Sequence, residues 1–276
     1  IGDTTNATRN IISGNNGDGI RVVGQAAVNN VIIGNYIGTT NSSSAPLGNT
    51  GSGVAMLSGA GDFVDTSGSQ PNRIGRPGQG NVLSANLWGL LIADPNTSNN
   101  VVQGNYIGTN IGGNTDVGNV LDGVLVGGGT YDNLVGGTLA GEGNLIAFNN
   151  RDGIFTDGVA RNQFRQNRIF SNDSLGIDIT PFGVNPNDVG DGDTGSNDLQ
   201  NYPVITFVRA NNTSVTIGGT LNSRPSQTYT LEFFGNTSVD ATGYGEGRNF
   251  LGSMQVTTNA SGNATFNQTF TIGIAS

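Results

Sequence analysis

The stretch "NVIIGNYIGT" at Asn30–Thr39 returns as "NVVQGNYIGT" at Asn100–Thr109. Seventy residues separate the two copies, and "SGV" at Ser52 is answered by "DGV" at Asp122 over the same distance. A fixed period of this size marks a structural unit reused along the chain. Shorter phrases fill the interval. One is Asn, a pair of β-branched or aliphatic residues, then Gly or Asn: "NIISGN" at 10, "NVLSAN" at 81, "NLIAFN" at 144 and "NQFRQN" at 162. The other is Gly followed by a short apolar run: "GIRVVG" at 19, "GVAML" at 53, "GLLIAD" at 89, "GVLVGG" at 123, "GIFTDG" at 153 and "GIDIT" at 176.

Short strands separated by Gly/Asn turns, with no amphipathic helical segment between them, exclude βαβ units. Asn returning at one place per coil fits a ladder in which each side-chain amide bonds to its equivalents above and below. Glycine supplies the corners that need positive φ. The pattern therefore predicts an all-β chain: a parallel β-helix of about eight coils over 1–181, with seventy residues making about three coils. Tyr36 and Tyr106 fall on one recurring corner and are candidate carbohydrate-binding aromatics. The stretch "GDFVDTSGSQP" at 61–71 lengthens one coil into a projecting loop.

Composition narrows the chemistry. Of 276 residues 46 are Gly, 34% are hydrophobic and 11% charged, and the net charge is −9. The chain has no Cys, no His and no Lys. Disulfides, thiolate nucleophiles, imidazole bases and Schiff-base lysines are thus all excluded. The acidic balance leaves no basic face for nucleic acid, and no apolar run is long enough to span a membrane. An acidic, Lys-free, Asn/Thr-rich surface suits an extracellular or cell-surface setting.

Near residue 181 the grammar changes. The segment 182–202 is rich in Asp and Gly, and Asp188, Asp191, Asp193 and Asp198 gather there in "NDVGDGDTGSND". Clustered carboxylates repel unless a cation compensates them, so this acidic linker is a candidate calcium loop. Residues 203–276 then alternate as longer strands, "TYTLEFF" and "ATFNQTFTI" among them, which predicts a small antiparallel sandwich. It is short of strands, so a hydrophobic groove is expected beside Phe266, Phe270 and Ile272. A strand from a neighbour would fill it, head to tail, into a filament.

The "N-x-I-x-x-N" and "G-I-x-I" phrases resemble the right-handed parallel β-helix repeats of the pectate-lyase-like superfamily. More narrowly, "GNYIGT…LGN…GV" is similar to bacterial extracellular β-helix repeat proteins that end in an Ig-like sandwich, as "GYGEG" followed by "FLGS" also suggests. That resemblance implies the fold over the whole chain, with 203–276 as the Ig-like module. It does not fix an activity, because the fold carries lyases, hydrolases, adhesins and fibres. For an enzyme it implies an acidic-polysaccharide substrate, with Arg as base or Asp pairs as catalysts. The candidate strip is Asp152, Asp157, Arg165, Arg168, Asp173 and Asp178, with Arg151 and Arg161 beside it. The expected function is a non-catalytic structural or adhesive module. Polysaccharide binding or cleavage is the alternative.

Overall fold

In the computed structural model each turn of the chain lays down two or three short strands that sit above those of the turn before. The structure describes all residues except 4, 6, 7, 62–69, 158–160 and 273–276, so most of the 61–71 insertion lies outside the described residues. The first rung is Ile11–Ile12 (β1), Ile20–Val23 (β2) and Val31–Ile32 (β3). The second is Tyr36–Ile37 (β4), Val54–Leu57 (β5) and Arg73–Ile74 (β6). The third is Val82–Leu83 (β7), Leu90–Ile92 (β8) and Val101–Val102 (β9). The fourth is Tyr106–Ile107 (β10), Val124–Gly127 (β11) and Leu134–Gly136 (β12). The fifth is Leu145–Ala147 (β13), Ile154–Asp157 (β14) and Gln163–Arg165 (β15). The sixth is Arg168–Phe170 (β16) and Ile177–Ile179 (β17).

Strands one rung apart pair in parallel, giving a first sheet β1-β4-β7-β10-β13-β16, a second β2-β5-β8-β11-β14-β17 and a third β3-β6-β9-β12-β15. Alternation along each strand sends one column of side chains inward. Ile12, Ile37, Leu83, Ile107, Ile146 and Ile169 stack in the first sheet, and Ile20, Val54, Leu90, Val124 and Ile154 in the second. These columns form one continuous core. No α-helix occurs among the described residues, and so none long and apolar enough to cross a membrane.

Each corner carries an asparagine ladder. The first runs Asn10, Asn35, Asn81, Asn105, Asn144, Asn167, with every Nδ2 donating to the next Oδ1 at 2.9–3.0 Å. Asn30, Asn72, Asn100, Asn133 and Asn162 make another. Asn15, Asn49, Asn86, Asn119, Asn149 and Asn172 make the last. Buried corners have backbone N–H groups that no strand pairs, and the ladder supplies their acceptors. Asn105 Oδ1, for example, accepts both the backbone N–H and the Nδ2 of Asn81. The glycines beside the ladders are steric requirements. A Cβ on Gly123 would lie 2.7 Å from Gly153 O, Asn149 Nδ2 and Ile146 Cγ2 alike.

The repeated hexapeptide has a different meaning from the one expected. Successive ladder residues are 25, 46, 24, 39 and 23 positions apart, so short and long rungs alternate. Seventy residues are two rungs rather than three, and among the described residues the β-helix has six rungs rather than about eight. The surplus sits partly in two hairpin excursions that follow "GNYIGT", closed by antiparallel bridges Thr39–Pro46 and Thr109–Asp116. The two excursions touch: Ile111 N–H donates to Ser43 Oγ and Asn110 Nδ2 to Ser44 Oγ. They belong to the second and fourth rungs and so meet across the third, where Val82, on the outward side of β7, is 0% exposed. The hexapeptide therefore marks the rungs that carry a loop.

Beyond the solenoid come Val204–Ala210 (β18), Ser214–Asn222 (β19), Thr228–Gly235 (β20), Asn249–Thr257 (β21) and Asn263–Thr271 (β22). They form two antiparallel sheets, β18-β19-β22 and β20-β21, around a second core of Val215, Ile217, Leu221, Leu231, Phe233, Val256, Phe266 and Phe270. Phe266 and Phe270, where the groove is expected, are buried. Both are core residues against Phe233, and Ile272 packs partly buried on the same cluster. What the sparse second sheet leaves bare is β18. Its Ile205 and Val208 pair with core-facing residues of β19 or neighbour them, yet each is 57% exposed.

Candidate functional site

The Arg/Asp strip does not stay together. Arg165, at the end of β15, holds Glu232 of β20 at 2.7 Å, and the other oxygen of Glu232 accepts the Gln166 N–H. Arg168 Nε donates to the carbonyl of Arg248. Both arginines thus join the solenoid to the sandwich. Arg161 makes a bidentate pair with Asp132 at 2.7 and 2.9 Å, which lowers the Asp132 pKa. Asp157 and Asp173 lie exposed on the surface.

Asp152 and Asp178 do converge, and with them comes Asp122 of the "DGV" phrase, which is outside the expected strip. All three are buried. Asp122 Oδ1 accepts the Asp152 N–H, Asp152 Oδ1 accepts the Leu175 N–H and Asp178 Oδ2 accepts the Gly183 N–H. Asp122 Oδ2 and Asp178 Oδ1 are buried without a partner. Burial, foremost, pushes the Asp152 carboxyl up to about 6, and the charges of Asp178 and Asp122 add to the rise. Burial likewise raises Asp178. Arg151 approaches Asp122 at 3.8 Å and lies over the ring of Phe182, which stacks on Phe155 at 4.5 Å. Neighbouring acids with raised pKa values have the chemistry of general acid–base work, but here the carboxylates are buried.

The acidic segment folds onto the sandwich instead of hanging as a linker. Asp191 accepts from Asn201 N–H and Ser223 Oγ, Gly190 N–H donates to Asn222, and Asn201 donates to the Asn222 carbonyl. Asp188, Asp191 and Asp193 each bring one carboxylate oxygen within 4.8 Å of the other two, an arrangement that can hold a metal ion. Asp188 Oδ1 and Asp193 Oδ1 are buried atoms with no hydrogen-bond partner. Asp198 stands apart from this set and pairs with Arg224 at 3.3 Å.

Tyr36 and Tyr106 share the outward column of the first sheet, but Val82 lies between them. Tyr36 is 5% exposed under the guanidinium of Arg9, 3.9 Å from its ring. Tyr106 lines a shallow cleft of about 300 Å3 with Arg9, Gln79, Ile111 and Arg168. A larger cleft, about 840 Å3, lies between the sixth rung and β20, with Phe164, Ile169, Ile177, Tyr202 and Phe234 in its walls. No protein-family model matches the chain, and no curated protein matches it.

Proposed function

We propose that this chain is an extracellular structural or adhesive module whose β-helix is a shaft rather than a catalyst, akin to the bacterial repeat proteins of the pectate-lyase-like superfamily. The observation that carries the reading is the fate of the candidate catalytic groups. Arg165 and Arg168 bond to the sandwich, and Asp122, Asp152 and Asp178 are buried, with Arg151 3.8 Å from Asp122. Incubation with pectin, alginate and other acidic polysaccharides is expected to release neither unsaturated nor reducing ends. Products that vanish in an Asp178→Asn variant would overturn the reading in favour of a polysaccharide-cleaving enzyme. Glycan binding without turnover is the second reading, favoured by the Tyr106 cleft with Arg9 and Arg168 at its margins. If the shaft is a fibre subunit built by strand complementation, the free edge of β18 is where a neighbour's strand would add.

The reading includes calcium at Asp188, Asp191 and Asp193. Carboxylate oxygens suit a hard cation, and two of those oxygens have no other partner. The ion would pin the acidic segment against Asn222 and Ser223. Excess chelator is therefore expected to lower the melting temperature by several degrees, and calcium to restore it. An unchanged melting curve, with no metal found by elemental analysis, removes calcium from the proposal.

A further inference from the structure

Strand β22 alternates without a break. Its Ala264, Phe266 and Phe270 turn to the sandwich core, so Asn263, Thr265, Asn267, Thr269 and Thr271 turn outward, and all of these are exposed. Opposite them on β19 stand Asn222, Thr220, Gly218, Thr216 and Ser214. This double column carries only hydroxyls, carboxamides and one glycine, and neither strand contains a charged residue. Part of it is bonded within itself. Thr216 Oγ1 and Thr269 Oγ1 are 2.8 Å apart, and Asn222 Nδ2 donates to Asn263 Oδ1 at 2.8 Å. The side chains of Thr220, Thr265 and Asn267 have no hydrogen-bond partner among the described residues.

The glycine has a steric reason. Phe207 of β18 is the register partner of Gly218, and a Cβ on Gly218 would overlap Cε1 and Cζ of its ring. Gly218 thus leaves room for an aromatic ring laid across the outer face, in the midst of the hydroxyls. The Arg209 guanidinium lies 5.2 Å from the centroid of that ring. It is the only charge on the three strands. An aromatic ring bordered by hydroxyl and amide groups, each able to donate or accept, complements a pyranose, which has an apolar C–H face and a rim of hydroxyls. The charge balance selects among sugars. A net charge of −9 opposes the approach of a polyanion, and a neutral chain meets no such barrier.

We propose that the outer face of β18-β19-β22 binds a neutral polysaccharide. Phe207 is the platform for one sugar ring, Thr220, Thr265 and Asn267 bond to hydroxyls of its neighbours, and Arg209 donates at the edge of the ring. The nine residues of β22, at about 3.4 Å each, make a column of about 30 Å, which suits an extended chain rather than a single sugar. The inference rests on the adhesive reading above and deepens it, placing a glycan site on the sandwich apart from the Tyr106 cleft.

The test is affinity electrophoresis of the full chain through gels containing β-glucan, galactomannan or xylan, with alginate as the acidic comparison. Retardation by a neutral polymer is expected, unchanged by added salt. Phe207→Ala is expected to weaken it about tenfold, the scale of a lost aromatic contact, and Phe207→Tyr to preserve it. Asn267→Ala, at an exposed position that leaves the core untouched, weakens it too, and keeps the test decisive should Phe207→Ala lose its β-sheet circular dichroism. Free passage through every neutral gel overturns the proposal. So does retardation that both alanine variants retain in full. Retardation by alginate alone, abolished by salt and by Tyr106→Ala, also overturns it, while leaving glycan binding at the Tyr106 cleft intact.

Discussion

Asn105→Ala is expected to lower the melting temperature by about 10 °C, far more than any surface substitution of similar size. Asn105 is buried in the middle of its ladder. Its Oδ1 accepts the N–H and Nδ2 of Asn81 at 3.0 and 2.9 Å, and its Nδ2 donates to Asn144 Oδ1 at 2.9 Å and Ile74 O at 2.7 Å. Alanine leaves the Asn81 N–H and the Ile74 carbonyl buried with fewer partners or none. Each unsatisfied group costs about 1–3 kcal/mol, so the loss reaches about 3–5 kcal/mol, at roughly 2–4 °C per kcal/mol for a chain of this size. Asn10→Ala is the control. Asn10 is exposed at the end of the same ladder and gives a single amide bond to Asn35, so about 1 kcal/mol is expected. Calorimetry that finds equal drops for the two variants would show that the ladder does not hold the shaft together.

The ladder was legible before any coordinates, because Asn at each corner is a local phrase: "NVIIGN" states its own strand and its own turn. The stacking was not, because it depends on how long each rung is. Two hairpin excursions and the insertion after Gly61 hide in the spacing, and counting phrases gave eight coils where six stand. The same spacing hides which acids meet. Asp122 lies 30 residues from Asp152 and meets it only because their rungs are neighbours. Asp198 sits beside Asp193 in sequence but turns to Arg224. The contact between the modules has a faint signal in the sequence. The chain has only three glutamates, and two of them, Glu232 and Glu246, sit among apolar or glycine neighbours in the sandwich and accept hydrogen bonds from Gln166 and Asn172 of the solenoid.

Acidification from pH 7.5 to 5 is expected to stabilise the protein, against the usual trend for an acidic chain. Burial first, then the charges of Asp178 and Asp122, hold Asp152 at about 6 in the folded state against an ordinary 3.8, while the Leu175 N–H and Arg151 pull the other way. A carboxyl whose pKa is raised on folding binds its proton more tightly in the native state than in the unfolded chain. Its contribution to stability is therefore full below about pH 3.8 and is lost as pH rises through about 6. For a shift of about two units this amounts to about 3 kcal/mol. Asp178 and Glu246, both raised by burial, act in the same sense. Asp132, lowered by Arg161, opposes them, but it is a surface pair and weighs little. Asp152→Asn removes the charge and keeps an oxygen for the Leu175 N–H. At pH 7.5 the variant is therefore expected to melt several degrees above wild type, and the gap to narrow by about half by pH 5, closing only below about pH 3.8. Melting curves run in excess chelator, so that the Asp188 cluster gives no metal-linked slope, decide the matter. A wild type that melts higher at pH 7.5 than at pH 5, or an Asp152→Asn variant less stable than wild type at pH 7.5, would mean that the buried acids are compensated by a positive charge stronger than Arg151 alone.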